Sequence, residues 1–81
     1  MTVKRNGKLV NIAENQLKKS DSIILQTGEL APADIRLTET SGIEADEFEL
    51  TGEINPVAKK TSDIVQMGSK ILKGKAAGIV I

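Results

Sequence analysis

The first third of the chain alternates short apolar runs with turn residues, a pattern typical of strands. Two strand-like runs, residues 2–5 and 8–12, flank Asn6-Gly7. Both turn residues accept the positive φ of a type I′ turn, so a β-hairpin is predicted. Residues 13–19 lack β-branched side chains and favour a single helical turn. Ser22–Gln26 is apolar, too short for a helix and bounded by turn residues, which predicts a buried strand.

The rest of the chain continues as short strand-like segments between turns. The predicted strands are 35–38, 43–50, 57–60, 64–72 with a break at Gly68, and 75–81. Within 43–50 the alternation fails near residues 47–48, which indicates a bulge or bend. The apolar residues of this segment are expected to face inward and its acids outward. The inward set is Ile43, Ala45, Phe48 and Leu50, and the outward set is Glu44, Asp46, Glu47 and Glu49.

The spacing of these segments predicts the fold class. Short strands with turn signals every 8–12 residues or so are typical of an all-β sandwich or a distorted barrel. We therefore predict an all-β, distorted jelly-roll or double-layered β-sandwich with at most a short helical turn. At 81 residues the chain forms a single domain with a modest core.

Composition narrows the chemistry open to this domain. Hydrophobic residues make up 40% of the chain but aromatic residues only 1%, so the core must consist of Ile, Leu, Val and Ala. The absence of cysteine and histidine excludes thiolate nucleophiles, imidazole bases and ordinary zinc sites. The 11 basic residues balance the 11 acidic residues, which gives no net field to attract nucleic acid. No apolar run of about 18 residues is present, so we expect no direct membrane insertion by this segment.

Two motifs in the middle of the chain are specific enough to indicate a family. Residues 28–37 read GELAPADIRL, and residues 46–57 read DEFELTGEINPV. Together they resemble the actuator domain of P-type ATPases, membrane ion pumps that form an aspartyl-phosphate, and the calcium-pump branch in particular. The resemblance extends from the hairpin turn RNGK at 5–8 to Gly74. Two departures are Ile54, where most members have serine, and Lys19-Ser20, where a Pro-Gly pair is usual.

The resemblance implies a role for one side chain, Glu53. In the family, the Thr-Gly-Glu loop is delivered to the phosphorylated aspartate of another domain. There Glu53 is expected to orient the attacking water and accept its proton as a general base during dephosphorylation. Thr51 and Gly52 are expected to set the loop geometry, Thr51 through its hydroxyl and Gly52 through a close-approaching backbone that a Cβ would obstruct. No metal-binding or cofactor-binding residue is predicted in this chain.

The resemblance also implies a larger protein around residues 1–81. We expect the segment to be the core of an actuator domain cut from a membrane pump, and to lie on its cytoplasmic side. Its partners are then the phosphorylation domain, the nucleotide-binding domain and the membrane helices of the same chain. The parent enzyme is expected to use ATP and Mg²⁺, whereas the isolated fragment is expected to be inactive.

Several features have simpler interpretations that compete with a catalytic one. Asp34 is interpreted as a structural carboxylate that accepts hydrogen bonds from local backbone. The alternating acids of 44–49 are interpreted as a solvated strand face rather than a calcium site, with Asp46 and Glu47 bracing the loop behind them. The scattered lysines are attributed to edge protection and solubility. The alternative for the whole chain is a non-catalytic β-rich binding module with a coincidental Thr-Gly-Glu sequence.

Overall fold

The computed structural model describes all of residues 1–81, which form nine strands in two antiparallel sheets. The strands are β1 (Thr2–Arg5), β2 (Lys8–Asn11), β3 (Ser22–Gln26), β4 (Ile35–Thr40), β5 (Ile43–Asp46), β6 (Val57–Lys59), β7 (Ile64–Val65), β8 (Lys70–Lys73) and β9 (Lys75–Val80). A 3₁₀ turn at Glu14–Gln16 and a single α-helical turn, α1, at Phe48–Thr51 interrupt them. The predicted all-β class is confirmed.

The two sheets differ in size, and the smaller one carries the Thr-Gly-Glu loop. The larger sheet has the order β2-β1-β3-β9-β4-β7, and the smaller has the order β6-β5-β8. Strand β9 lies between β3 and β4, where Gly78 pairs with Ile23 on one side and with Leu37 on the other. A Cβ at Gly78 would collide with the Ile35 side chain and the Arg36 carbonyl. Glycine is therefore needed here for close strand packing.

The core contains only aliphatic side chains, as the composition predicted. Thirteen buried hydrophobic residues form one cluster, and they come from both sheets. Its members include Ile23, Leu25, Ile35 and Leu37 of the larger sheet and Ile43, Ala45 and Ile71 of the smaller sheet. Because one continuous core joins the inner faces of both sheets, the two layers form a sandwich.

Several local predictions are confirmed at the level of single residues. Asn6 and Gly7 have φ values of 51° and 77°, and the flanking Arg5 and Lys8 are paired across the hairpin. Strand β3 has the predicted bounds, and the helical turn predicted in 13–19 is the 3₁₀ turn at Glu14–Gln16. In this half of the chain, turn residues and short apolar runs were sufficient to predict the hairpin turn, strand β3 and the short helical turn.

The predicted inward and outward assignments are wrong at residues 47, 48 and 50, whereas Glu49 is exposed as predicted. Strand β5 ends at Asp46, and the expected bulge is instead the helical turn α1. Phe48 and Leu50 are 52% and 43% exposed, whereas Glu47 is only 7% exposed. The alternation of β5 continues as far as Glu47, which follows Ile43 and Ala45 on the inward face. From Phe48 onward the helical turn replaces the alternation with a period of about 3.6 residues, so Phe48 and Leu50 do not face the core.

An ion pair between Arg5 and Asp21 adds to the β1–β3 backbone pairing that joins the hairpin to the body of the domain. Arg5 Nε and Nη2 donate to the two carboxylate oxygens of Asp21, each over 2.7 Å. The Lys18 backbone N–H donates to the same carboxylate over 2.8 Å, and Arg5 Nη2 also donates to the Gln16 carbonyl. The bonds from Arg5 and Lys18 lower the pKa of Asp21 from 3.8 to about 2.

This lowered pKa predicts a specific acid sensitivity. Because ionised Asp21 is favoured in the folded state, its contribution to stability is complete above about pH 4. That contribution is lost as the pH falls from about 4 to about 2. Urea unfolding at a series of pH values should therefore show that the free energy of unfolding falls as the pH is lowered through this range. The fall should be smaller in Asp21→Asn, which has no carboxylate to protonate. Glu39→Gln, which removes an exposed carboxylate outside any ion pair, is the control; an undiminished decline in Asp21→Asn would contradict the assignment.

Candidate functional site: the loop between β5 and β6

The Thr-Gly-Glu sequence lies on a loop that projects from the small sheet. Every residue from Phe48 to Pro56 is exposed. The last backbone pair below the loop joins Ala45 of β5 to Val57 of β6. Both ends of the loop are thereby held on neighbouring antiparallel strands, while its outer part stays free to contact another surface.

The first half of the loop is ordered by the backbone carbonyl of Glu47. This oxygen accepts the backbone N–H groups of Leu50 and Thr51, both over 2.9 Å, and the Thr51 hydroxyl over 3.2 Å. The Thr51 Oγ1 in turn accepts the backbone N–H of Glu53 over 3.2 Å. The Thr51 hydroxyl thus links the base of the loop to Glu53, in keeping with the loop-forming role predicted for Thr51.

Gly52 ends α1 in a left-handed conformation. Its φ is 77°, and its backbone N–H donates to the Phe48 carbonyl over 2.8 Å. Residues other than glycine and asparagine rarely adopt this backbone conformation. Within the domain no atom lies within 4 Å of a Cβ built at this position, so the expected close approach of the backbone is not found inside the chain. Glycine is required here by the backbone angle.

Glu53 follows directly and points its carboxylate away from the core. The side chain is exposed, and its Oε1 accepts the Asn55 backbone N–H over 3.1 Å. This bond folds the carboxylate over the following residues of the loop, and Pro56 restricts the exit. The geometry presents a partly restrained anionic side chain to solvent or to a docking partner.

A second turn supports the loop from the side. The Leu50 side chain packs beside Gly68. The preceding residue, Met67, donates its backbone N–H to Asp34 Oδ1 over 2.8 Å. Asp34 is therefore structural, as predicted, although its partner is a backbone group 33 residues away rather than a local one.

The site offers carboxylate and hydroxyl chemistry without a metal cluster. No three acidic side chains converge in a way that could hold a metal ion. Neither short helical turn has the length or apolar character of a membrane-crossing helix.

The whole chain matches the model of one known protein family. That model, described as the P-type ATPase actuator domain, aligns with residues 1–81. The chain belongs to the P-type ATPase actuator domain family. The predicted resemblance is confirmed, and we refer to the loop of residues 48–56 as the actuator loop.

Most of the curated relatives compared are calcium-transporting ATPases by name, whereas the name of a relative from Methanocaldococcus jannaschii, 41% identical over 78 residues, specifies only cation transport. The chain is 38% identical over 90 residues to the calcium-transporting ATPase type 2C member 1 of Mus musculus, covering 95% of this chain and 10% of the relative. It is 36% identical over 90 residues to calcium-transporting ATPase 1 of Schizosaccharomyces pombe, with the same coverages. The chain therefore spans about a tenth of the length of these relatives.

Solved structures show the same domain architecture in a pump named for another cation. One crystal structure of a zinc-transporting PIB-type ATPase aligns with 99% of this chain and 13% of its own, at a TM-score of 0.86 and 34% identity. A crystal structure of a zinc-transporting PIB-type ATPase in a different state aligns at a TM-score of 0.84. Calcium and zinc pumps thus share this fold, which does not by itself distinguish between cations.

One interaction at the base of the actuator loop was missed from the sequence. Glu47 Oε2 lies 3.0 Å from Lys59 Nζ, and these two side chains are 9% and 16% exposed. From the sequence, Glu47 is predicted to lie on a solvated strand face with a role in bracing the loop, and Lys59 is predicted to have a solubilising role. Neither prediction includes this ion pair. The available signal was the break in alternation at residues 47–48, where an acid falls on an inward position.

The left-handed angle at Gly52 generates a stability prediction. Gly52→Ala should lower the free energy of unfolding of the domain by about 1–2 kcal/mol, because an L side chain in this conformation is strained. Gly52→Asn should lose less, because asparagine tolerates the left-handed region. Chemical denaturation of the three proteins measures both values. Equal losses in the two variants would indicate a steric cause instead of a backbone one.

Proposed function

We propose that this domain promotes hydrolysis of the aspartyl-phosphate formed on another domain of a P-type cation-transporting ATPase. Glu53 is the group that acts on the reaction, and Thr51 and Gly52 hold it in place. The observation that supports this proposal most strongly is the position of Glu53. It is an exposed carboxylate on a hydrogen-bonded loop whose two ends are fixed in the small sheet.

The chemistry needs only one anionic side chain from this domain. A water molecule in line with the aspartate leaving group attacks phosphorus, and Glu53 accepts a proton from that water. The water oxygen forms the new bond to phosphorus while the bond to the aspartate oxygen breaks. Inorganic phosphate leaves and the aspartate carboxylate is regenerated. Hydrogen bonding to Asn55 restrains the Glu53 side chain before docking, which reduces the entropy lost on binding.

The domain is suited to rigid-body delivery of this loop. Its core joins both sheets, and its extents are about 37 × 25 × 19 Å. Rotation of such a unit as a whole is a common mode of switching. In the proposed cycle, this rotation carries the loop to the phosphorylated aspartate and couples hydrolysis to ion transport through the connections to the membrane helices.

The proposed cargo is a cation, and calcium is favoured. The basis is the calcium-transporting names of the relatives at 36–38% identity. The ligands for a transported ion would lie in membrane helices outside these residues. A pump named for zinc has the same domain architecture, so calcium is inferred from sequence similarity rather than from the fold.

The remaining parts of the reaction are assigned to the rest of the parent chain. We propose that its phosphorylation and nucleotide-binding domains use ATP and Mg²⁺, and that the actuator domain lies on the cytoplasmic side of the membrane. The isolated domain is then expected to release no phosphate from ATP. A non-catalytic binding module, the alternative considered for the sequence, receives no support because the family match covers residues 1–81.

Glu53→Gln in the full-length pump tests the proposal. The variant should form phosphoenzyme from ATP normally. Its phosphoenzyme should decay at least about 10²-fold more slowly, because a general base contributes on that scale. The measurement is phosphoenzyme decay after a chase with unlabelled ATP. Glu49→Gln, an exposed acid in the same loop, is the matched control and should decay like the parent. Parental decay in Glu53→Gln would exclude Glu53 as the base.

A further inference from the structure

The ion pair between Glu47 and Lys59 is unusual among the charged groups of this domain. Most acidic side chains are exposed, but Glu47 is 7% exposed, and Asp21 is the other buried acid. A buried carboxylate is costly unless it is paired and hydrogen-bonded. The 3.0 Å contact with Lys59 Nζ provides that partner. Asp21 secures the hairpin, whereas Glu47 lies at the start of the actuator loop.

The pair connects the two sides of the loop base. Glu47 immediately precedes α1, and Lys59 is the last residue of β6, which receives the chain after the loop. Lys59 pairs with Ile43 across β5 and β6, and Ala45 pairs with Val57. Burial at alternate positions places the side chains of residues 43, 45 and 47 on the same inward face. Lys59 lies at the end of the ladder away from the loop, and its side chain reaches back to Glu47. The ion pair therefore joins the start of the loop to β6 at a point where no backbone pair does so.

The position of Glu47 is transmitted to Glu53 through consecutive hydrogen bonds. The Glu47 carbonyl accepts the N–H and the hydroxyl of Thr51, and Thr51 Oγ1 accepts the N–H of Glu53. A change in the orientation of Glu47 thus alters α1 and Thr51 before it reaches the reactive carboxylate. A displacement of about 1 Å at a reacting group can reduce a rate about 10²-fold.

We propose that Glu47 and Lys59 form a positioning pair that holds the Glu53 carboxylate in its productive geometry. The proposal depends on the function proposed for Glu53, and it assigns no contact with phosphate to either residue. The pair acts on dephosphorylation because it fixes the base of the loop from which Glu53 projects.

Lys59→Met in the full-length pump is the primary test. The methionine side chain keeps much of the length and apolar character of lysine but cannot pair with Glu47. Phosphoenzyme formation from ATP should be unchanged, while phosphoenzyme decay should slow about 10- to 100-fold. Lys59→Arg keeps the charge and should restore most of the rate. Lys60→Met removes a neighbouring exposed lysine and should decay like the parent.

A double-mutant cycle distinguishes positioning from general damage. In a pump that already carries Glu53→Gln, Lys59→Met should cause no further slowing, because residues that act as one unit are non-additive. Equal slowing by Lys59→Met in both backgrounds would overturn the positioning role. Slow decay in Glu53→Gln with parental decay in Lys59→Met would also overturn it, while leaving the function of Glu53 intact. Parental decay in Glu53→Gln would instead remove the function on which the pair depends.

A second variant controls for misfolding caused by an unpaired buried carboxylate. Glu47→Gln combined with Lys59→Met removes both charges, so that no uncompensated charge remains in the interior. This double variant should reproduce the slow decay of Lys59→Met with normal phosphoenzyme formation. If it restored the parental decay rate, the defect in Lys59→Met would be due to the unpaired charge, and the positioning role would be rejected.

Discussion

Backbone pairing between Ala45 and Val57 is the constraint on which the proposed function depends. It brings the two ends of the loop together on adjacent antiparallel strands, both anchored by a core that joins the sheets. With its ends fixed in this way, the loop can leave residues from Phe48 to Pro56 exposed without losing its shape. A small aliphatic core is sufficient, because the loop's own order comes from hydrogen bonds rather than from burial.

Those hydrogen bonds form a continuous path from the end of β5 to Glu53. The Glu47 carbonyl holds Thr51, Thr51 holds the backbone of Glu53, and Asn55 restrains the carboxylate itself. Gly52 makes the path geometrically feasible, because its φ of 77° turns the chain at the end of α1. The domain thus combines an exposed Glu53 carboxylate with a loop backbone that is already folded before any partner binds, which limits the entropic cost of docking.

Sequence reasoning succeeded where the determining interactions are local. The Asn6-Gly7 turn and the bounds of β3 followed from turn chemistry and short-range apolar patterns. At Glu47 and Phe48 the sequence showed only a break in the alternation, which did not reveal that the acid is buried and the aromatic ring exposed. Glu47 is buried because Lys59 reaches it from another strand, and a strand-period pattern contains no information about that partner. The family motif located Glu53, but only the folded structure revealed the contacts that hold it.

The most direct test of the central claim is a structure of the full-length pump in which aluminium fluoride, bound to the aspartate that is normally phosphorylated, takes the place of the phosphoryl group. In that state we expect the actuator loop to dock with a Glu53 carboxylate oxygen about 2.6–3.2 Å from the in-line water. A trapped state in which another residue contacts that water, while Glu53 remains in solvent, would contradict the proposed role.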